Sequence, residues 1–417
     1  MFRLFASMGK GGSKIHEAVK RNVKYKVIKI LSKNRAGLNE RDLYGETPLL
    51  IASCNGYVEI VNILLEYGAH PDIADPLERT PLYAACYFGH VEVVRTLLDK
   101  GADVYRGETS DNWSPLCVAS REGHLDIVKL LACTEANISH KGDSGLTPLH
   151  HAIAEEHTDV ALYLLEKGAN AGAMDNLGLT PLIGCALLGN NIVLKHLLHY
   201  DADPNVIYDT NGFGFSALNV AASRGNYETA ALLLNNGASV DQVNSKGWTA
   251  LHSAIAHQHF AVVELLLHHG ANPNIREFGR GCTAIHIALS HKLGSEFLPL
   301  LLKHNADVNI QTYTGDTSLH IALTQIGDET DIYDTACLLI NHGAHIDIQN
   351  KNNITPMDCY DSKTMPAILD FCRPLPLTCL CAQQVSNHNS LLIECQFSYP
   401  KSVTNFVAMH RRYSTEV

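Results

Sequence analysis

No stretch of this sequence approaches the run of about 18–20 apolar residues that a membrane-spanning helix needs. The opening Met1–Phe5 is likewise too short for the apolar region of a secretory signal. Membrane insertion and secretion are therefore not expected, and the reading is a cytoplasmic protein that can also enter the nucleus. The twelve cysteines lack regular spacing, so they describe no disulfide framework and fit a reducing compartment. Cys379 and Cys381, flanked by Cys372 and Cys395, miss the second close pair of a structural zinc site. There is no glycine-rich phosphate loop after a strand, no Gly-x-Ser-x-Gly elbow and no His-Glu-x-x-His helix. The expectation is a chain with no catalytic residues, no metal and no cofactor.

What is present is an ordered composition, 46% hydrophobic and 18% charged, which can bury a large core. The net charge of −11 is unevenly spread. Residues 1–41 hold eleven basic residues against Glu17 and Glu40, a net of +9, which leaves −20 for the remainder. That acidic body argues against a nucleic-acid footprint and favours basic partners. The basic start reads either as a solvated first helix or as a patch for a lipid or an acidic partner.

One short block recurs at steps of mostly 33 or 34 residues: Thr47-Pro48-Leu49, Thr80-Pro81-Leu82, Ser114-Pro115-Leu116, Thr147-Pro148-Leu149 and Thr180-Pro181-Leu182. It continues, with variation, through Ser216, Thr249, Thr283, Thr317 and Thr355. A Gly-Ala pair such as Gly68-Ala69 or Gly101-Ala102 follows most anchors about twenty residues later. Threonine or serine caps a helix and proline suits its first position, so each anchor starts a helix. Glycines such as Gly56, Gly89 and Gly123 end it, and apolar runs such as Val93–Leu98 make a second. The pattern resembles the ankyrin repeat. The resemblance implies an all-α solenoid of helix-turn-helix repeats with β-hairpin tips, stacked because no helix pair covers its own apolar face. His150, His252, His286 and His320 fall where that repeat has a structural histidine. The boundaries expected are a tail at 1–13, an array of about eleven units at 14–372 with degenerate ends, a small helical box at 373–410 and a tail at 411–417. The hairpin at Asp209–Phe215 is lengthened, and an acidic insertion, 327–331, separates the two helices of the last full repeat.

Beyond Asp361 the pattern stops. Leu377, Cys381 and Val385 stand at i, i+4 and i+8, one stripe of a helix that starts after Pro376. Tyr399, Pro400, Val403, Phe406 and Val407 form a second apolar pattern. In this order the two resemble the box by which ubiquitin-ligase receptors bind elongin C and then a cullin. Phe397-Ser398-Tyr399-Pro400 stands where the cullin-five type has Leu-Pro-x-Pro, which favours cullin-two. The array with this ending is similar to the Fem (feminization) family. That likeness implies a non-catalytic substrate receptor joined through elongins B and C to a cullin ligase, reading the C-terminal residues of its targets. The competing reading is a general ankyrin scaffold or signalling adaptor whose last helices only cover the array.

Counting from each anchor, the groove of repeats three to five is lined by Tyr87, Phe88, Arg121, Glu122, His151 and Glu155, with Asp75, Glu78, Asp111 and Trp113 on neighbouring hairpins. Aromatics beside carboxylates suit a cationic side chain, so the expected substrate site is Tyr87, Phe88, Asp111, Trp113, Glu122 and Glu155, binding a basic or C-terminal segment. The final Thr415-Glu416-Val417 matches an end that adds a strand to a PDZ domain, a further expected partner.

Overall fold

The computed structural model describes residues 12–108, 111–134, 138–209, 212–291, 294–325 and 329–359. The expected box at 373–410 and the PDZ-type end lie outside these residues. Two compact units are present. One takes in the chain up to Ala221 together with Glu228–Ser239, the other Ala222–Tyr227 and the chain from Val240 on.

The first unit opens with α1 (Lys14–Lys20) and α2 (Lys24–Leu31), followed by α3 (Pro48–Cys54), α4 (Val58–Glu66), α5 (Pro81–Tyr87), α6 (Val91–Asp99), α7 (Pro115–Arg121) and α8 (Leu125–Ala132). It continues with α9 (Pro148–Ala154), α10 (Thr158–Glu166), α11 (Pro181–Leu188), α12 (Asn191–His199), α13 (Ala217–Arg224), whose last turn passes into the second unit, and α14 (Tyr227–Asn235). Along it α3 packs on α5, α5 on α7, α7 on α9 and α9 on α11. The second unit holds α15 (Ala250–Ala256), α16 (Phe260–His268), α17 (Ala284–Ser290), α18 (Gly294–Lys303), α19 (Ser318–Gln325) and α20 (Glu329–Asn341), with α15 on α17 and α17 on α19.

The anchors act as their chemistry requires. Thr47 Oγ1 accepts the Leu50 N–H at 3.1 Å and Thr80 Oγ1 the Tyr83 N–H at 3.1 Å, each with proline in the first turn. At Thr147, Thr249 and Thr283 the histidine three residues on returns the favour, its Nδ1 accepting the threonine N–H at 3.2, 3.0 and 3.1 Å. These seven-residue helices are short for isolated helices, so their stability comes from being sandwiched. Every residue of α3, from Pro48 to Cys54, is buried. In the second helices one face is buried, as with Val93, Val94 and Leu97 of α6, each side chain contributing roughly 1.5–3 kcal/mol.

Gly89 shows why the first helix of its repeat ends in glycine. Its φ of 77° is left-handed, and a Cβ there would stand 2.7 Å from the His124 ring that caps the next repeat. That ring's Nε2 lies 3.2 Å from the Tyr87 carbonyl, so one helix's exposed C-terminal carbonyl is satisfied by the following repeat.

Two features differ from expectation. The hairpin tips are turns and, among the described residues, form no strand, closing as isolated bridges only at Glu108–Trp113 and Tyr208–Phe215. An aspartate or asparagine replaces the ladder: Asp42 Oδ1 accepts the N–H groups of both Tyr44 and Glu46, which holds the turn without further strand residues. In the acidic insertion, Glu329–Asp331 are not loop but the first residues of α20.

The eight described cysteines are all free. Burial pushes the Cys117 thiol up to about 11 and Cys54, Cys86 and Cys185 up as well, so these thiols are core fillers. Among the described residues no group of three histidine, cysteine or acidic side chains is arranged to hold a metal ion, and no helix is long and apolar enough to cross a membrane.

Candidate functional site

Fixing one short hairpin places the aromatic centre of the site. Gly107 lies where a Cβ would come 1.6 Å from the Trp113 carbonyl oxygen, so only glycine lets the two arms of the turn approach this closely. Asp111 then ties the turn down. Its carboxylate accepts the Trp113 indole N–H at 2.6 Å, the Ser144 N–H at 2.9 Å and the Ser144 hydroxyl at 3.0 Å, joining this tip to the next. Asp111 is thus a positioning group for Trp113.

The Trp113 ring meets His151 edge-on at 4.6 Å, and the Arg121 guanidinium stands 5.1 Å over its face. Arg121 also reaches Glu155 Oε1 at 3.3 Å and Glu122 at 3.6 Å. Both ion pairs are part-exposed, so each is worth no more than about 1 kcal/mol. Glu122 lies near enough to Tyr87 to add to the burial that holds the Tyr87 hydroxyl above its ordinary range. Tyr87 and Phe88 meet edge to face at 4.9 Å, with Phe88 exposed. Burial first, then the charges of His150 and Arg121, pushes His151 down to about 4, which leaves it neutral beside the guanidinium.

Of the expected residues, Trp113, Glu122 and Glu155 come together around Arg121, with Tyr87 and Phe88 beside Glu122. The hairpin carboxylates go elsewhere. Asp75 is buried and accepts the Arg79 Nε–H at 2.7 Å, while Glu78 pairs with Arg106 at 2.9 Å. Two participants were missing from the expected set. Arg121, expected only to line the groove, is the cation on which the carboxylates converge, and Glu108 accepts the Tyr83 hydroxyl at 2.9 Å. The Arg121–Glu155 spacing of 34 residues carries the signal, because residues one repeat apart lie side by side on consecutive first helices.

Among Trp113, Arg121, Glu122 and Glu155 no nucleophile stands beside a base. The arrangement presents an aromatic face flanked by carboxylates, of a size that already accommodates one guanidinium. Gly107→Ala is expected to break the Glu108–Trp113 closure and release the indole, read as a red shift of Trp113 fluorescence on a Trp248→Phe background, with a fall in stability of roughly 2–4 kcal/mol.

A family model described as ankyrin repeats (three copies) matches residues 15–108, 72–142, 116–208, 182–277 and 275–350. The chain is 32% identical over 113 residues to the fem-1 homolog C protein of Xenopus laevis, covering 27% of this chain and 17% of that protein. It is 36% identical over 92 residues to a putative ankyrin repeat protein of Rickettsia felis, covering 21% of this chain and 40% of that one. It is 30% identical over 213 residues to the neurogenic locus notch homolog protein 1 of Danio rerio, covering 50% of this chain and 8% of that one. The matched segment thus spans well under half the length of each of these relatives.

Proposed function

Because the chain belongs to the ankyrin-repeat family, we propose that it works by non-covalent capture of a protein, and that the captured segment is basic. The observation that carries this reading is the meeting of Trp113, Glu122 and Glu155 around one guanidinium. A ligand arginine finds the same planar face and the same acceptors by displacing or lying alongside Arg121, an exchange in which little solvation is lost because both guanidinium groups stay part-exposed. Tyr87 and Phe88 extend the site, Phe88 with an exposed apolar edge.

The finer reading is a non-catalytic substrate-recognition subunit of an elongin B/C and cullin ubiquitin ligase, with cullin-two preferred to cullin-five and a target recognised at a basic or C-terminal segment. Its support is the Fem-type order of Leu377, Cys381 and Val385 followed by Tyr399, Pro400, Val403, Phe406 and Val407, together with the partial similarity to the fem-1 homologs. The similarity to notch homologs, which covers more of this chain, supports the broader reading of an ankyrin scaffold or signalling adaptor. A PDZ domain remains a proposed partner of Val417.

Replacing Glu122 and Glu155 together by lysine tests the capture site. The expected result is loss of basic partners from the proteins recovered with the full chain, with circular dichroism and melting unchanged because both residues are part-exposed. An unchanged set of bound proteins overturns the site. Recovery of elongin C with the full chain but not with a form ending at Asp361 supports the ligase reading, and equal absence from both favours the adaptor.

A further inference from the structure

Among the described residues α1 and α2 are the first helix pair, packed on one side against α3 and α4, and what they offer on the other face is specific. Aligning α1 with α3 and α2 with α4 on their caps and left-handed turns, Asn22 with Gly56, places Glu17 where Ile51 is buried and Lys26 where Ile60 is buried. Charge in place of a stacking isoleucine is what a terminal repeat requires for solubility. Polarity alone, however, does not call for a single sign. Lys14, Glu17 and Arg21 follow one face of α1, and Lys26, Lys29 and Ile30 one face of α2, and together they line an open depression of about 480 Å³. The lining carries four cations against one carboxylate, and that carboxylate is already bound to Arg21 at 2.6 Å.

Among the described residues Lys14, Lys26 and Lys29 have no carboxylate partner, although Lys24 and Lys20 on the same two helices pair with Glu59 and Asp42. The preceding residues 1–11 add Arg3 and Lys10 and no acidic residue. Like charges gathered round one concavity repel, and in a chain of net −11 this local excess is what a counter-charge of two or more would relieve.

We propose that the end face of the first helix pair is a binding site for a multiply charged phosphate oxyanion, either a soluble polyphosphate or phosphate ester or the phosphorylated headgroup of a lipid. Ammonium groups on flexible stems from two helices suit such a ligand, since they surround it as point charges without needing one fixed orientation. The site lies apart from the groove around Arg121 and stands independently of what that groove binds.

The test uses the full chain at low salt, with inorganic pyrophosphate as the soluble probe and vesicles of phosphatidylcholine with or without phosphatidylinositol 4,5-bisphosphate as the membrane probe. Titration calorimetry is expected to show saturable pyrophosphate binding that weakens with added salt. Lys26→Glu with Lys29→Glu, and separately the milder Lys26→Gln with Lys29→Gln, are expected to weaken it by about tenfold or more, while Lys100→Glu on α6's C-terminal cap leaves it unchanged. Melting curves check that all variants fold, the altered side chains being exposed. Pyrophosphate binding without vesicle association assigns a soluble ligand. Association with phosphoinositide vesicles that pyrophosphate competes away assigns the headgroup. The proposal is overturned if pyrophosphate does not bind saturably, if the Lys26/Lys29 variants bind as tightly as Lys100→Glu, or if vesicles bind regardless of phosphoinositide.

Discussion

Acidification from pH 6.5 to 4 is expected to destabilise the unit that contains His252 and His286 by several kcal/mol. Both histidines are buried, and burial pushes each down to about 4 from an ordinary value of 6.5. Each Nδ1 accepts the N–H of its cap threonine and must be unprotonated to do so. A folded-state value below the unfolded one means that the unfolded chain binds the proton more readily. The contribution to stability is therefore complete above pH 6.5, falls as pH drops through that value and is exhausted below about 4. Each histidine accounts for on the order of 2–3 kcal/mol. Glu277, in the same unit, is held below its usual range by the N–H groups of Arg280, Gly279 and Cys282 against a contrary desolvation, so it adds a loss of the same sign at lower pH.

The other unit holds groups of both signs, and burial lowers its cap histidine His150 as well. His151 behaves like His252, but Glu46 is pushed up to about 7, by burial and then by the Asp42 charge. A carboxyl raised in the folded state costs stability as pH rises through 4.5 to 7, and acidification removes that cost. Melting followed by circular dichroism between pH 7 and 4.5 is expected to show a transition of the unit of His252 and His286 that falls as the pH falls. The protein supplies the control itself. Asn219 occupies the position equivalent to these histidines, its Oδ1 accepting the Ser216 N–H at 3.2 Å and the Ser216 hydroxyl at 3.0 Å. His252→Asn with His286→Asn keeps an acceptor without a titration and should flatten the pH dependence. A wild-type melting temperature that is constant over this range, or a pH dependence the double variant leaves intact, rules out the assignment.

Replacing Leu377 and Cys381 by larger polar residues such as glutamine and arginine is expected to abolish recovery of elongin C with the full chain. An apolar stripe at i, i+4 and i+8 concentrates its binding energy in a few central side chains, and losing two such anchors costs on the order of 4 kcal/mol or more, roughly a thousandfold in affinity. The repeats should melt as before, because stacking energy in such an array is shared between neighbours only. Replacing Pro400 and Val403 should spare elongin C and lose the cullin. If the segment only covers the last repeat, both pairs instead lower the melting temperature together, and the recovery of elongin C does not differ between wild type and the Leu377/Cys381 variant.

Local signals determined the repeats. The cap threonines, the prolines after them and the left-handed glycines act within a few residues of themselves, so a sequence scan registers them in the right place and with the right period. The histidine at the third helical position belongs to the same class, since its bond to the cap N–H closes within three residues. Tertiary structure alone decided what the side chains on the finished surface do. Asp75 and Asp111 look like Glu122 in composition, yet a four-residue turn turns one towards Arg79 and the Ser144 tip claims the other. Arg121 meets Glu155 only once two repeats stack in register, and Lys14, Lys26 and Lys29 share one concavity only because α1 and α2 fold back on each other. Caps and turns are fixed by bonds a few residues long, whereas ion pairs and charged concavities arise between residues that the chain brings together from another helix, and their partners are chosen by packing.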